Sequence, residues 1–274
     1  MRIDVGGTAL EVSDQGSGPA VLLLHGFPDT GDLWRHQVTG LTRAGYRAIA
    51  PDLRGFGRSD RPGTYGMGEH LGDLVGLLDR LDIECVHVVG HDWGAAIGWA
   101  LATFVPNRVL SLTALAVGHP ASFAGAGVPQ REKSWYMLLF QFPDVAEQWL
   151  SADGFANFRS WSEHPEADAA VARLSEPGAL TAALGIYRAV LPPQSLVAPP
   201  AALPPVKAPV LGVWASGDRF LIEEGMTGSA PHVAGPWRYE RIDGAGHWMQ
   251  LDRPDAVNRL LVDFLAEAGS PPGH

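Results

Sequence analysis

The chain has 274 residues, 46% hydrophobic and 18% charged, enough for one α/β domain with an insertion or for two modest domains. A net charge of −10 argues against nucleic acid and anionic membrane surfaces as partners. The single cysteine, Cys85, excludes an intrachain disulfide and a cysteine-based metal site, and is expected to be a buried structural thiol. Residues 1–6 carry no apolar signal segment, and the most apolar stretch, 94–105, is too short to span a bilayer. A cytoplasmic protein is therefore expected.

Residues 2–5 and 8–13 flank Gly6-Gly7 and predict a β-hairpin. Ala20–Leu24 is a continuous apolar run that ends in His25-Gly26-Phe27-Pro28. A helix is predicted over 33–44, stopping at Gly45, and a strand over 47–50, ending at Pro51-Asp52. Leu71, Leu74, Val75, Leu77, Leu78 and Leu81 mark one face of a helix over 67–81. A strand over 85–89, a helix over Trp93–Phe104 and a strand over 110–117 follow. This alternation predicts a mostly parallel sheet flanked by helices, with ligands beyond the carboxyl ends of its strands. Residues 119–203 are aromatic-rich, helix-like and without clear strands. They close in Pro192-Pro193, Pro199-Pro200 and Pro204-Pro205, a stiff connector. Strands at Val210–Ala215 and Trp237–Ile242 and a helix over 253–266 complete the chain. The expected organisation is an α/β core of 1–118 and 204–274 interrupted by a helical lid at 119–203.

Gly90-His91-Asp92-Trp93-Gly94 falls between a predicted strand and a predicted helix. A nucleophile elbow, G-x-S-x-G, has this form, but here the central residue is Asp. Asp92 could serve only as a helix cap, yet a cap needs no glycine on either side. A carboxylate is ionised near neutrality, and a helix N-terminus favours that state. It attacks without a base and suits saturated carbon bearing a strained or good leaving group. Attack leaves an ester on Asp92 that must then be hydrolysed. His247, in Gly244-Ala245-Gly246-His247-Trp248, is the candidate to activate water for that step. Asp218, just after the strand ending at Ala215, can orient the imidazole, with Glu223, Glu224 and Asp243 as rivals. Nucleophile, acid and histidine in this chain order match the α/β-hydrolase order. The backbone N–H groups of Phe27 and Trp93 are candidate oxyanion donors, with a cis Phe27–Pro28 bond expected. His25 and His91 are assigned to turns, and the spacing of His87 and His91 supports no metal.

Taken together, His25-Gly26-Phe27-Pro28, the run from Asp52-Leu53-Arg54-Gly55 to Asp60, Gly90-His91-Asp92-Trp93-Gly94 and Gly246-His247-Trp248 resemble the α/β-hydrolase-fold epoxide hydrolases. The resemblance covers nearly the whole chain, and its motifs are shared with haloalkane dehalogenases. In the epoxide hydrolases two lid tyrosines hold and protonate the epoxide oxygen. The segment from Trp135-Tyr136 to Phe142-Pro143 is similar to the one carrying the first, and Gly185-Ile186-Tyr187-Arg188 to the one carrying the second. The resemblance implies Asp92 as nucleophile, His247 and Asp218 for water, and Tyr136 and Tyr187 as acids. It implies Trp93, Phe140 and Trp248 as substrate-binding side chains, no metal, no cofactor, and a small apolar epoxide and water as the partners. The chain lacks an acid after Val117, where some relatives carry the histidine's partner and Gly118-His119-Pro120 stands here, so Asp218 stands nearly alone for that role. Trp93 in place of Arg speaks against fluoroacetate dehalogenases, and Phe27 in place of Asn removes one halide-binding side chain. The alternatives are a haloalkane dehalogenase using the same Asp92 ester, and a non-catalytic small-molecule-binding protein on this fold. No G-x-S-x-G occurs to support a serine esterase.

Overall fold

The computed structural model describes residues 1–196 and 202–269. Eight strands form one sheet in the order β1-β2-β4-β3-β5-β6-β7-β8. β1 (Arg2–Asp4) and β2 (Ala9–Gln15) make the predicted hairpin. Its turn closes when the Gly6 and Gly7 N–H groups both donate to Asp4 Oδ1 at 2.9 Å. β2 runs two residues past the predicted end because Asp14 and Gln15 pair with Ile49 and Ala48 of β4 (Arg47–Pro51). Asp14 also takes a two-pronged contact from Arg47, at 2.9 and 2.7 Å.

β2 and β4 are antiparallel. The partners from β4 onward, β3 (Ala20–Leu24), β5 (Val86–His91), β6 (Val109–Leu115), β7 (Val210–Ala215) and β8 (Trp237–Ile242), are parallel. A parallel sheet is covered on both faces, so its strands read as unbroken apolar runs. Every residue of β3, β5 and β7 is buried. Each fully buried Val or Leu there contributes about 1.5–3 kcal/mol, which holds the strand ends rigidly where the functional side chains emerge. Cys85 differs from expectation: it stands just before β5, only partly buried, with Sγ donating to the Asn107 carbonyl at 3.2 Å.

A 3-10 turn at Gly31–Trp34 precedes α1 (Arg35–Arg43), so the predicted first helix is two pieces. α2 (Met67–Arg80) buries Leu74, Leu77 and Leu78, the face its spacing predicts. α3 (Trp93–Phe104) is buried along nearly its whole length. After β6 come six helices with no strand among them: α4 (Pro120–Gly125), α5 (Gly127–Lys133), α6 (Tyr136–Leu139), α7 (Val145–Ser162), α8 (Ala167–Leu174) and α9 (Ala179–Val190). α7 is broken at 152–155, where the backbone leaves helical φ/ψ. Residues 197–201, with Pro199 and Pro200 of the predicted connector, lie outside the described residues. After β7 come α10 (Glu223–Thr227), α11 (Met249–Asp252) and α12 (Pro254–Ala268).

The helical segment is fastened to the sheet side at several points. Gln130 Nε2 donates to the Phe220 carbonyl at 2.8 Å, and its Oε1 accepts the Ile222 N–H at 3.0 Å. Lys133 Nζ donates to the Asp218 carbonyl at 2.7 Å. Arg35 pairs with Glu166, and Arg61 pairs with Glu176 at 2.9 Å. Among the described residues no helix is long and apolar enough to cross a membrane.

Candidate active site

β5 ends at His91, and the chain swings through Asp92 into α3. Asp92 has φ 54° and ψ −122°, a backbone region that costs a non-glycine residue about 1–3 kcal/mol. The flanking glycines do not share this conformation; they permit close approach. A Cβ on Gly90 would stand 2.6 Å from Ala95 Cα, and one on Gly94 would stand 2.7 Å from the His25 carbonyl oxygen. The glycines thus let α3 press against β5 and the end of β3, and the strain is concentrated on the one residue whose side chain is presented. Asp92 occupies the cap position of α3, but its side chain makes no capping hydrogen bond. Its Oδ1 instead accepts the Phe27 N–H at 2.9 Å, and the Phe27–Pro28 peptide is cis. Burial works to raise the Asp92 carboxyl. His247, with help from His91 and the Trp93 N–H, outweighs it and holds the group below the ordinary carboxylate range.

His247 arrives on the loop after β8. That loop is fixed by Gly244 N–H on Ser216 Oγ (3.0 Å), Gly217 N–H on the Ala245 carbonyl (2.9 Å) and Gly246 N–H on Asp252 Oδ2 (2.7 Å). His91 Nε2 lies 2.9 Å from the His247 carbonyl, so His91 positions the loop in addition to ending β5. His247 Nδ1 meets Asp218 Oδ2 at 2.8 Å, and Nε2 faces Asp92 Oδ2 at 3.7 Å. Asp218 is fully shielded, and its other oxygen accepts the Phe220 and Leu221 N–H groups at 2.8 and 3.0 Å. Of its rivals, Glu223 is held by Tyr239 and Arg241, and Asp243 by Arg241. Burial disfavours the imidazolium, but Asp218 and Asp92 together overcome it and push His247 up to about 10. At rest the pair is an imidazolium facing a carboxylate.

Tyr136 on α6 and Tyr187 on α9 are buried, with ring centroids 6.3 Å apart. The two helices are clamped together: Gln141 Nε2 donates to the Tyr187 carbonyl at 3.1 Å and Arg188 Nε to the Phe140 carbonyl at 2.9 Å. Glu147 receives both Arg188 nitrogens at 2.8 and 2.9 Å. Burial, then the negative charge of Asp92, pushes both phenols well above the ordinary tyrosine value, so both stay protonated. Tyr136 and Tyr187 line one narrow cavity with Phe27, Asp92, His247 and Trp248. It encloses about 10 Å³, room for about one water molecule. Of the three expected substrate-binding side chains, Trp248 reaches this cavity. Phe140 is fully buried behind it, packed on Tyr187 at 5.0 Å and Tyr136 at 5.4 Å, and Trp93 packs edge-on to Tyr187 at 4.9 Å.

One cluster beside this site has no counterpart in the sequence expectations. Asp29, directly after Pro28, accepts the Trp248 Nε1–H at 2.9 Å and faces His164 Nε2 at 3.2 and 3.3 Å, with Arg173 at 3.5 Å. His164 Nδ1 accepts the Glu166 N–H at 2.9 Å, so the opposite ring nitrogen carries the hydrogen that meets Asp29. Burial would raise the Asp29 carboxyl; His164 and then Arg173 prevail and bring it down to about 2. The cluster joins the loop after β3, the loop carrying His247, and the helical segment. Position next to two motif residues is the only signal the sequence offers for it, since His164 and Arg173 lie far along the chain.

A family model for the alpha/beta hydrolase fold matches residues 19–254. An epoxide hydrolase of Caballeronia sordidicola is 32% identical over 96% of this chain and 92% of its own length. The AB hydrolase superfamily protein YfhM of Bacillus subtilis is 34% identical over 96% of each chain. The crystal structure of the Bacillus megaterium epoxide hydrolase in complex with an inhibitor superposes with a TM-score of 0.88 at 28% identity, covering 97% of this chain and 100% of that one. With a carboxylate, an imidazole and two phenols gathered at the carboxyl ends of a parallel sheet, the chain belongs to the epoxide hydrolase family of α/β-hydrolase enzymes.

Proposed function

We propose that this enzyme converts an epoxide to a vicinal diol through an ester on Asp92, with residues 119–203 acting as a lid. The observation that carries the proposal is that Tyr136 and Tyr187 line the same cavity as Asp92 and His247. Opening an epoxide leaves negative charge on an oxygen still attached to the substrate. Donors must therefore face the nucleophile, and a phenol that stays protonated in a dry site can both bind that oxygen and give it a proton.

In the first step an Asp92 carboxylate oxygen attacks an epoxide carbon, the carbon–oxygen bond breaks, and a tyrosine proton goes to the ring oxygen. Esterification removes the Asp92 charge, one of the two that keep His247 protonated. The imidazolium then releases its proton, which restores the phenol, and the neutral ring held by Asp218 can act as a base. In the second step His247 takes a proton from water, whose oxygen adds to the Asp92 carbonyl carbon. The backbone N–H groups of Phe27 and Trp93 hold the resulting oxyanion. Collapse releases the diol, its oxygen carrying the second water proton, and restores carboxylate and imidazolium.

A haloalkane dehalogenase needs side-chain donors for the departing halide. The indole next to the histidine is already engaged, Trp248 Nε1–H donating to Asp29 at 2.9 Å, and the Trp93 ring packs edge-on to Tyr187 at 4.9 Å. This favours the epoxide over the halide. The test is a panel of terminal and internal epoxides offered to the wild type and to His247→Ala. The expected result is diol from the wild type and, in the variant, a stable gain of one epoxide mass that maps to Asp92. No diol and no adduct across the panel would sink the proposal.

A further inference from the structure

A cavity with room for about one water cannot hold an epoxide together with a sizeable substituent. A second, larger pocket of about 460 Å³ lies against it, lined by Pro129, Lys133, Trp135, Trp161, Phe220 and Ile222, with Glu132 and Arg219. That volume falls in the range of small-molecule sites. Trp161 and Phe220 belong to the walls of both cavities, with ring centroids 5.3 Å apart. On the inner side Phe220 contacts the His247 ring at 5.1 Å and Tyr136 at 5.5 Å, and Trp161 contacts Tyr136 at 4.8 Å. The partition between the two spaces is therefore a pair of aromatic side chains. The Phe220 backbone is pinned, its N–H on Asp218 and its carbonyl on Gln130, so ring rotation leaves those hydrogen bonds intact.

We propose that Trp161 and Phe220 are a movable partition, and that the outer pocket receives the larger substituent of the substrate while the epoxide ring sits between Asp92 and the tyrosines. The walls decide the chemical class. Trp135, Phe220, Ile222 and Pro129 offer apolar and aromatic surface, and Trp135 is 49% exposed at the outside. The cations at the rim are engaged, Lys133 with the Asp218 carbonyl and Arg219 with Glu163 at 2.6 Å, so neither is left to draw an anionic group. The substituent is an uncharged aryl or long alkyl group. This substrate class presupposes the epoxide chemistry proposed above.

The experiment compares kcat/KM for phenyl glycidyl ether with that for 1,2-epoxybutane. Trp161→Ala removes half of the partition and should raise the ratio at least tenfold. Ile222→Trp adds bulk to a wall of the outer pocket and should lower the ratio at least tenfold. Ratios within twofold of the wild type in both variants, with 1,2-epoxybutane still turned over, would overturn the partition and leave the epoxide chemistry standing. A wild type that hydrolyses neither epoxide would overturn both.

Discussion

Gly26 stands against Asp92, the proposed nucleophile, and a single methyl there tests its placement. An ideal Cβ on Gly26 would lie 2.5 Å from Asp92 Cβ and 2.7 Å from Asp92 Cγ, where ordinary contact begins at 3.4 Å. One side must retreat by roughly 0.9 Å, and because the clash reaches the root of the Asp92 side chain, no rotation of the carboxylate relieves it. Gly26 itself has an ordinary φ, so alanine meets no backbone obstacle there. A misplacement of about 1 Å at a reacting atom costs on the order of 10²-fold in rate, about 2.7 kcal/mol of barrier. The accompanying overpacking should cost about 1–3 kcal/mol of stability. The assay is the rate of adduct growth on Asp92 by intact mass, with Gly26→Ala built into a His247→Ala background so that only ring opening is observed. Gly68→Ala on α2, where nothing lies within 4 Å of the added carbon, is the control and should leave the rate unchanged. If Gly26→Ala folds and its adduct grows within threefold of the parent rate, Asp92 is not held as described or is not the attacking group.

Tyr136→Phe and Tyr187→Phe should each slow ring opening by about 10²–10⁴-fold, and the double variant should form no diol; a double variant with near-wild-type turnover refutes the role given to the phenols. Asp29→Asn leaves His164 and Trp248 facing a neutral amide and weakens a buried charged junction, so a loss of about 3 kcal/mol is expected in urea unfolding; an unchanged midpoint counts against it. Five buried imidazoles are depressed by burial from 6.5: His25, His70 to about 3, and His87, His91 and His119 to about 4. Below pH 6.5 the unfolded chain takes up protons that the folded chain refuses, so stability falls as pH drops from 6.5 toward 4. A urea midpoint at pH 5 equal to that at pH 7.5 contradicts this. His247 has the opposite sign: its folded value of about 10 stands above 6.5, so its contribution is complete below 6.5 and is lost as pH rises through about 10. Asp218→Asn should flatten that alkaline limb, and the same slope in variant and wild type removes Asp218 as the cause.

The alternation of strands and helices was legible because a parallel sheet buries whole apolar runs, and β3, β5 and β7 are such runs. Asp92, Asp218 and His247 were legible because each stands within five residues after a strand end, where the fold gathers side chains from distant parts of the chain. Other features depend on partners that no local pattern displays. The tail of β2 forms only because β4 lies beside it, and Cys85 stays partly exposed because the strand starts one residue later than its apolar character suggests. Tyr136 and Tyr187 were found by resemblance; helical spacing alone does not separate them from packing aromatics such as Phe140. The Asp29 cluster was not legible, because His164 and Arg173 reach it from more than 130 positions away.

The ties between the helical segment and the sheet side have a kinetic consequence. Gln130 and Lys133 hold the strand-end loop that carries Asp218 and Phe220, His164 and Arg173 hold Asp29, and Arg35 and Arg61 add ion pairs at the flank. A segment fastened at so many places resists swinging as a rigid body, a motion that belongs to microseconds and longer. Side-chain torsions at the partly exposed Trp161 belong to a faster range. Traffic through this enzyme would then be set by which aromatic side chains can turn aside, and selectivity among molecules could be retuned by single substitutions without redesigning a hinge.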